Sequence, residues 1–129
     1  DYHYRHEPIL YGWKGKNRTW IAGRDQSTVF EFPRPSRSPE HPSMKPVALI
    51  EKQIENSSLR GSLGLDPFAG SGSTLIAAER TGRNCVAIEL DPGYVDVIVR
   101  RWQKHTGQSA VLESNEHTFE QILEVRHGG

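Results

Sequence analysis

The stretch Asp66-Pro67-Phe68-Ala69-Gly70-Ser71-Gly72-Ser73-Thr74 decides how this chain reads. It follows a short apolar run, Leu63-Gly64-Leu65, and leads into the helical pattern Leu75-Ile76-Ala77-Ala78-Glu79-Arg80, which Gly82 stops. Gly70 and Gly72 therefore sit between a strand and a helix, where the chain turns sharply and a ligand can approach the backbone. Glycine lacks Cβ, so positive φ and close approach cost little there. Ser73 or Thr74 is placed to cap the helix, whose first N–H groups favour an anionic group. No Lys follows the glycines, which excludes a Walker A loop, and Leu75 stands where a nicotinamide fingerprint needs its third glycine.

Asp66 marks the carboxyl end of the strand. A carboxylate there repels a pyrophosphate but accepts hydrogen bonds from a ligand ammonium. Glu89 ends the next buried-type strand, residues 85–90, where an acid binds the hydroxyls of a ribose. A ligand carrying both an ammonium and a ribose points to S-adenosylmethionine. The bland alternative is a loop whose glycines serve only the turn.

Working outward, Val47, Ile50 and Ile54 recur at helical spacing after Pro46, as far as residues 56–58. Another helix is predicted from Pro92 to His105, with Tyr94, Ile98, Trp102 and His105 on one face, and residues 109–113 read as a third short strand. Strand, helix, strand, helix, strand at these spacings predicts a parallel sheet with right-handed crossovers. Upstream, residues 6–13 and 27–32 are rich in aromatic and β-branched residues and predict a β-hairpin, joined by a polar, basic loop at 14–19. Residues 33–46 hold Pro33, Pro35, Pro39, Pro42 and Pro46, which forbids regular structure and makes a stiff, extended connector. The tail after Ser114 is polar, with a brief helical run at 119–125 and ends expected to fray.

The whole chain has 129 residues, with Lys+Arg 16 balancing Asp+Glu 16. Formal net charge zero excludes a polycationic nucleic-acid tail, although not a local basic face. The mean hydropathy of −0.64 indicates much polar surface around one modest core. Cys85 is the one cysteine, so an intrachain disulfide and a cysteine-based zinc cluster are excluded; it reads as a small core hydrophobe. The six histidines show no metal-ligand spacing. No apolar run approaches the roughly 18 residues that span a bilayer, and no signal-peptide pattern opens the chain, so a cytoplasmic location is expected. The chain opens on Asp1 rather than Met, with sequence that already reads as structured, and so is expected to be a piece of something longer.

The 66–74 stretch closely resembles the cofactor motif of bacterial and phage DNA amino-methyltransferases, which methylate the exocyclic nitrogen of adenine or cytosine. His41-Pro42-Ser43-Met44-Lys45-Pro46 resembles the lead-in to that motif in one subclass, and Glu89-Leu90-Asp91-Pro92-Gly93-Tyr94 its ribose-binding strand end and following helix. The resemblance covers about residues 3–113. It implies an α/β chain with a partial Rossmann-like S-adenosylmethionine-dependent methyltransferase fold: a single partial domain over 1–113, made of the hairpin region 1–32, the connector 33–46 and the cofactor-binding core 47–113, with the polar tail 114–129. It further implies that Asp66, Pro67, Phe68, Gly70, Gly72 and Ser73 line the methionine part of the cofactor. Glu89 would hold the ribose and Leu90 would pack on the adenine. His41, Ser43 and Lys45 would approach from the connector, with Lys45 a partner for the methionine carboxylate.

In that subclass the motif order is permuted, and the catalytic Asp/Asn/Ser-Pro-Pro-aromatic motif comes first. Its polar side chain and a backbone carbonyl draw the amine hydrogens into hydrogen bonds and free the lone pair, while its ring stacks on the flipped base. No such motif lies upstream of Asp66, so no catalytic residue is assigned in this chain. Asp91-Pro92-Gly93-Tyr94 differs from it by one residue, but its place directly after Glu89 reads as a helix start, with Asp91 as N-cap, Pro92 as first helical residue and Tyr94 opening a buried face. Tyr11 and Trp13 resemble the strand that helps enclose the flipped base, with core packing the alternative. Lys14, Lys16, Arg34 and Arg37, and less specifically Arg18 and Arg24, are candidate contacts for DNA phosphates. The implied function is the cofactor-binding part of a DNA methyltransferase of a restriction-modification type, completed by an amino-terminal catalytic part or a second subunit, with homo-oligomerisation another way to cover its edges. Two alternatives stand beside it: a non-catalytic cofactor- or DNA-binding module, and a methyltransferase of the same fold acting on RNA or protein.

Overall fold

The computed structural model describes residues 6–33 and 44–128. Its ordered centre begins at helix α1, Val47–Ser57, entered through extended Pro46 as the proline predicts. Strand β1, Leu63–Asp66, follows, then helix α2, Ser73–Thr81, strand β2, Asn84–Ala87, and helix α3, Pro92–Thr106. A last helix, α4, covers Phe119–His127. The two strands pair in parallel, Leu63 opposite Asn84 and Asp66 opposite Ala87. The pairing runs on past the strands, with the Ile88 N–H donating to the Asp66 carbonyl and the Ala69 N–H to the Ile88 carbonyl.

The core is built on small side chains of α2. Ala77 is fully buried and Ile76 and Ala78 nearly so, and Ser73 and Thr81, one turn either side of Ala77, are buried with them. Small residues at this spacing let α1 lie close along α2, while α2 also rests on β2. Gly82 closes α2 in the left-handed conformation at φ 68°. Beside it, Arg83 ties two helix ends together: its guanidinium donates to the carbonyls of Thr81 and Ser58 and to Ser58 Oγ. A cation at both carboxyl ends also complements the helix dipoles.

Among the described residues, only one face of the β-sheet is covered. Leu63 and Leu65 of β1, Val86 of β2 and Ile88 just after it share the other face and are 49–70% exposed. No helix among the described residues is long and apolar enough to cross a membrane.

Two predicted elements are corrected. Residues 6–13 and 27–32 form no strand, so the amino-terminal hairpin is absent from the described residues. A lone two-stranded hairpin is marginal in water, and here the segment's bonding capacity goes elsewhere. Tyr11 meets Trp13 and Trp20 at ring-centroid distances of 5.8 and 6.0 Å, with the Arg18 guanidinium 5.9–6.0 Å from both tryptophan rings. Further on, the Ile21 N–H donates to the Asn56 carbonyl, and the amides of Gln26 and Asn56 exchange two 2.8 Å hydrogen bonds, so the segment lies on the end of α1. The third predicted strand, 109–113, is likewise not in the sheet. Val111 bridges antiparallel to Thr118 instead, and Leu112 and Ala110 spend their backbone groups on His117 and Phe119.

That local ribbon also explains why the tail is ordered where fraying was expected. Thr118 caps α4, accepting from the Gln121 N–H, while the Gln121 side chain accepts from the Thr118 N–H: a complete capping box. Gln103 of α3 clamps the tail, donating to Glu120 at 2.8 Å and accepting from the Ala110 N–H at 2.7 Å. The first of these bonds holds the Glu120 carboxyl below its ordinary range. Replacing Thr118 by Ala is expected to weaken α4 by about 1 kcal/mol, seen as faster amide exchange over residues 119–127 with α2 unchanged.

Candidate functional site

The site forms where both strands end on the same side. The chain leaves β1 at Asp66, whose Oδ1 accepts from the Phe68 N–H at 3.0 Å and bends the backbone back at once. Ala69 is buried, and Gly70 and Gly72 adopt left-handed backbone at φ 54° and 78°. The Gly72 N–H returns to the Ala69 carbonyl at 2.8 Å and closes a tight turn on the doorstep of α2.

Glu89 braces this loop from just past the end of β2. Its Oε2 accepts from the Gly70 N–H at 2.7 Å and its Oε1 from the Asp91 N–H at 3.0 Å. One carboxylate thus joins the glycine loop to the start of α3. Phe68 and Leu90 stand beside the two acids as apolar side chains 88% and 97% exposed. Asp66, Pro67, Phe68, Gly70, Gly72, Ser73, Glu89 and Leu90, predicted from scattered signals, are therefore gathered on one edge.

Other predicted residues fall differently. His41, Ser43, Arg34 and Arg37 lie outside the described residues. The ammonium of Lys45 forms an exposed 2.7 Å ion pair with Glu7, and it is the Lys45 backbone carbonyl that reaches the loop, accepting from Ser73 Oγ at 3.2 Å. Ser73 is no cap: it is the first residue of α2, the N-cap position falls on Gly72, which has no side chain to bond with, and the Ser73 hydroxyl donates to the Lys45 carbonyl. Lys14 and Lys16 are exposed, as a phosphate contact requires. Asp91 caps α3, its Oδ1 accepting from the Gly93 and Tyr94 N–H groups at 2.8 and 3.4 Å. Its carboxylate is thus engaged in the helix start that its sequence position predicts, and Tyr94 is half-buried on the first turn.

Arg101 escaped the sequence reading. From α3 its Nη1 donates toward the Ser71 carbonyl at 2.9 Å and stands 3.1 Å from both Ser71 Oγ and Ser73 Oγ. The available signal was its place one turn beyond Ile98, whose side chain would lie 3.1 Å from a Cβ on Gly72. Cys85 is half-buried in β2. Burial raises its thiol above the ordinary range, and the charge of Asp66 adds to the rise. No group of three metal-ligating side chains occurs among the described residues.

Comparison with known proteins places the chain in a family. The model of the N6/N4 DNA methylase family matches residues 1–100. The chain belongs to that family. Among DNA methylases of this kind, the type II methyltransferase M.ScaI of Streptomyces caespitosus is 34% identical over 95 residues, 67% of this chain and 31% of that protein. The DNA adenine methyltransferase YhdJ of Escherichia coli (strain K12) is 39% identical over 77 residues, 57% of this chain and 26% of its own length. A solved relative, the M1.HpyAVI–SAM complex, superposes with a TM-score of 0.56 at 27% identity, covering 65% of this chain and 43% of that one. The chain spans about a quarter to a third of the length of the curated DNA methylases it matches.

Two outcomes test the loop as described. Gly72→Ala must hold a side chain at φ 78° and press it against Ile98 at 3.1 Å, so it is expected to destabilise the chain by at least about 1–2 kcal/mol, measured as a lower urea midpoint. Because the Cys85 thiol is raised by folding, its contribution to stability is fully present below the unfolded thiol pKa of about 8.5 and is lost as pH rises through the higher folded value. Alkylation by iodoacetamide at pH 8 should accordingly run several-fold slower in the folded chain than in urea.

Proposed function

We propose that this chain is the S-adenosylmethionine-binding part of a DNA methyltransferase acting on the exocyclic amino group of adenine or cytosine, and that β1, α2 and β2 belong to a partial Rossmann-like fold. The observation that carries the reading is the convergence of two carboxylates, Asp66 and Glu89, on one glycine loop, with Glu89 bound to the Gly70 N–H. The residues fit the ligand's chemistry. Asp66 accepts from the methionine ammonium, and Glu89 from the ribose hydroxyls. A carboxylate offers about four acceptor sites, so bracing the loop and holding a diol are compatible roles. Leu90 and Phe68 offer apolar surface for the adenine and the methionine chain, and their exposure is otherwise a cost for a folded domain.

When bound, S-adenosylmethionine supplies an activated methyl group on its sulfonium. The residues of this chain bind and orient it. The group that accepts the amine hydrogens is not Asp91, which is committed to the start of α3, and the sequence holds no Pro-Pro dipeptide on which the family's catalytic motif is built. That motif comes from outside this chain, on an amino-terminal part or a second subunit. The bare face of Leu63, Leu65, Val86 and Ile88 is the surface against which such a part packs. Lys14 and Lys16 meet DNA phosphates, with Arg34 and Arg37 as further candidates.

Asp66→Ala is expected to weaken S-adenosylmethionine binding at least a hundredfold by calorimetry, because the loop loses its ammonium acceptor; near-native affinity would overturn the assignment. In the same preparation, tritiated cofactor and mixed DNA should give no methyl transfer by the 129-residue chain alone. Transfer would return Asp91 and Tyr94 to catalysis.

A further inference from the structure

The glycine loop is anchored at two points on opposite sides. Glu89 holds the Gly70 N–H from just past the end of β2. Arg101 holds the next residue from α3, with Nη1 2.9 Å from the Ser71 carbonyl and 3.1 Å from the hydroxyls of Ser71 and Ser73. Both serines are buried, at 5% and 4% exposure, and Arg101 is half-buried over them. Through Ser73, which donates to the Lys45 carbonyl, the same cluster reaches the residues that lead into α1. One guanidinium thus ties three segments distant in sequence.

The loop needs such an anchor. Gly70 and Gly72 have the widest conformational freedom of any residue type, and the N-cap of α2 makes no side-chain bond to fix the entry. Fastening the Ser71 carbonyl orients the peptide that joins Ser71 to Gly72, whose N–H then meets the Ala69 carbonyl. The turn between Ala69 and Gly72 is held shut from outside itself.

We propose that Arg101 is a positioning residue for cofactor binding. It acts through the loop, without touching the ligand, to set Phe68, Gly70 and Gly72 for the amino-acid end of S-adenosylmethionine. The inference rests on the cofactor reading above. It assigns Arg101 to one end of the ligand: the adenine and ribose lie toward Glu89 and Leu90, after β2, whereas Arg101 governs the Ser71–Ser73 side. Lysine replaces it only in part, because the three contacts all come from Nη1, a position that the differently shaped and flexible lysine stem reaches less well.

The test compares three ligands by calorimetry on the 129-residue chain: S-adenosylmethionine, S-adenosylhomocysteine, and 5′-methylthioadenosine, which keeps the nucleoside but lacks the amino-acid end. Arg101→Ala should weaken the first two at least tenfold and leave the third within about twofold, and Arg101→Lys should fall between Ala and the native chain. Unchanged binding of S-adenosylmethionine, or an equal loss for all three ligands, overturns the positioning role. If Arg101→Ala proves unfolded by circular dichroism, Arg101→Lys decides on the same pattern: selective loss for the two amino-acid ligands supports the role, and uniform or no loss refutes it. A native chain that binds none of the three refutes the cofactor reading itself, and the role with it.

Discussion

Everything at the site depends on the register of two short strands. Because β1 and β2 run parallel with Asp66 opposite Ala87, the chain delivers two carboxylates to the same end of the sheet, one just before the loop and one two residues past the pairing. A hydrogen bond from Gly70 to Glu89 then converts nearness into a joint. Shifting either strand by one residue would turn Glu89 away from the loop and send Asp66 to the other face. The register is in turn protected by α2, whose small buried residues let it lie between α1 and the sheet.

Legibility in the sequence follows how local each signal is. The glycine loop, Asp66 and Glu89 were readable because strand end, turn and helix start are neighbours in the chain, and the boundaries of α1 and α3 fall within one or two residues of the periodic pattern. Asp91 was readable as a cap for the same reason. The hairpin of residues 6–32 failed because aromatic and β-branched content measures suitability for a strand, not the presence of a partner. In this chain the partners offered are Asn56 and the rings of Trp13 and Trp20.

Two misses differ in kind. The capping box Thr118-x-x-Gln121 lay in plain view but was outweighed by the polarity of the tail. Arg101 carried only the weak signal of its place one turn beyond Ile98: its partners Ser71 and Ser73 lie 30 and 28 residues away, and only the fold of α3 against the loop brings them together. Ser73 shows the reverse case. Its identity fits a cap, yet tertiary contact with Lys45 redirects the hydroxyl.

The β1–α2–β2 unit, its two acids and the arginine that fastens its loop all lie between Leu63 and Arg101. The turn is closed by groups within this one stretch, so the entropy of loop closure is modest. During synthesis this pocket can take shape as soon as α3 has emerged, without waiting for a second subunit to complete the sheet. For that interval Leu63, Leu65, Val86 and Ile88 stay bare, and the same economy that lets the pocket form early leaves a nascent chain with a sticky flank.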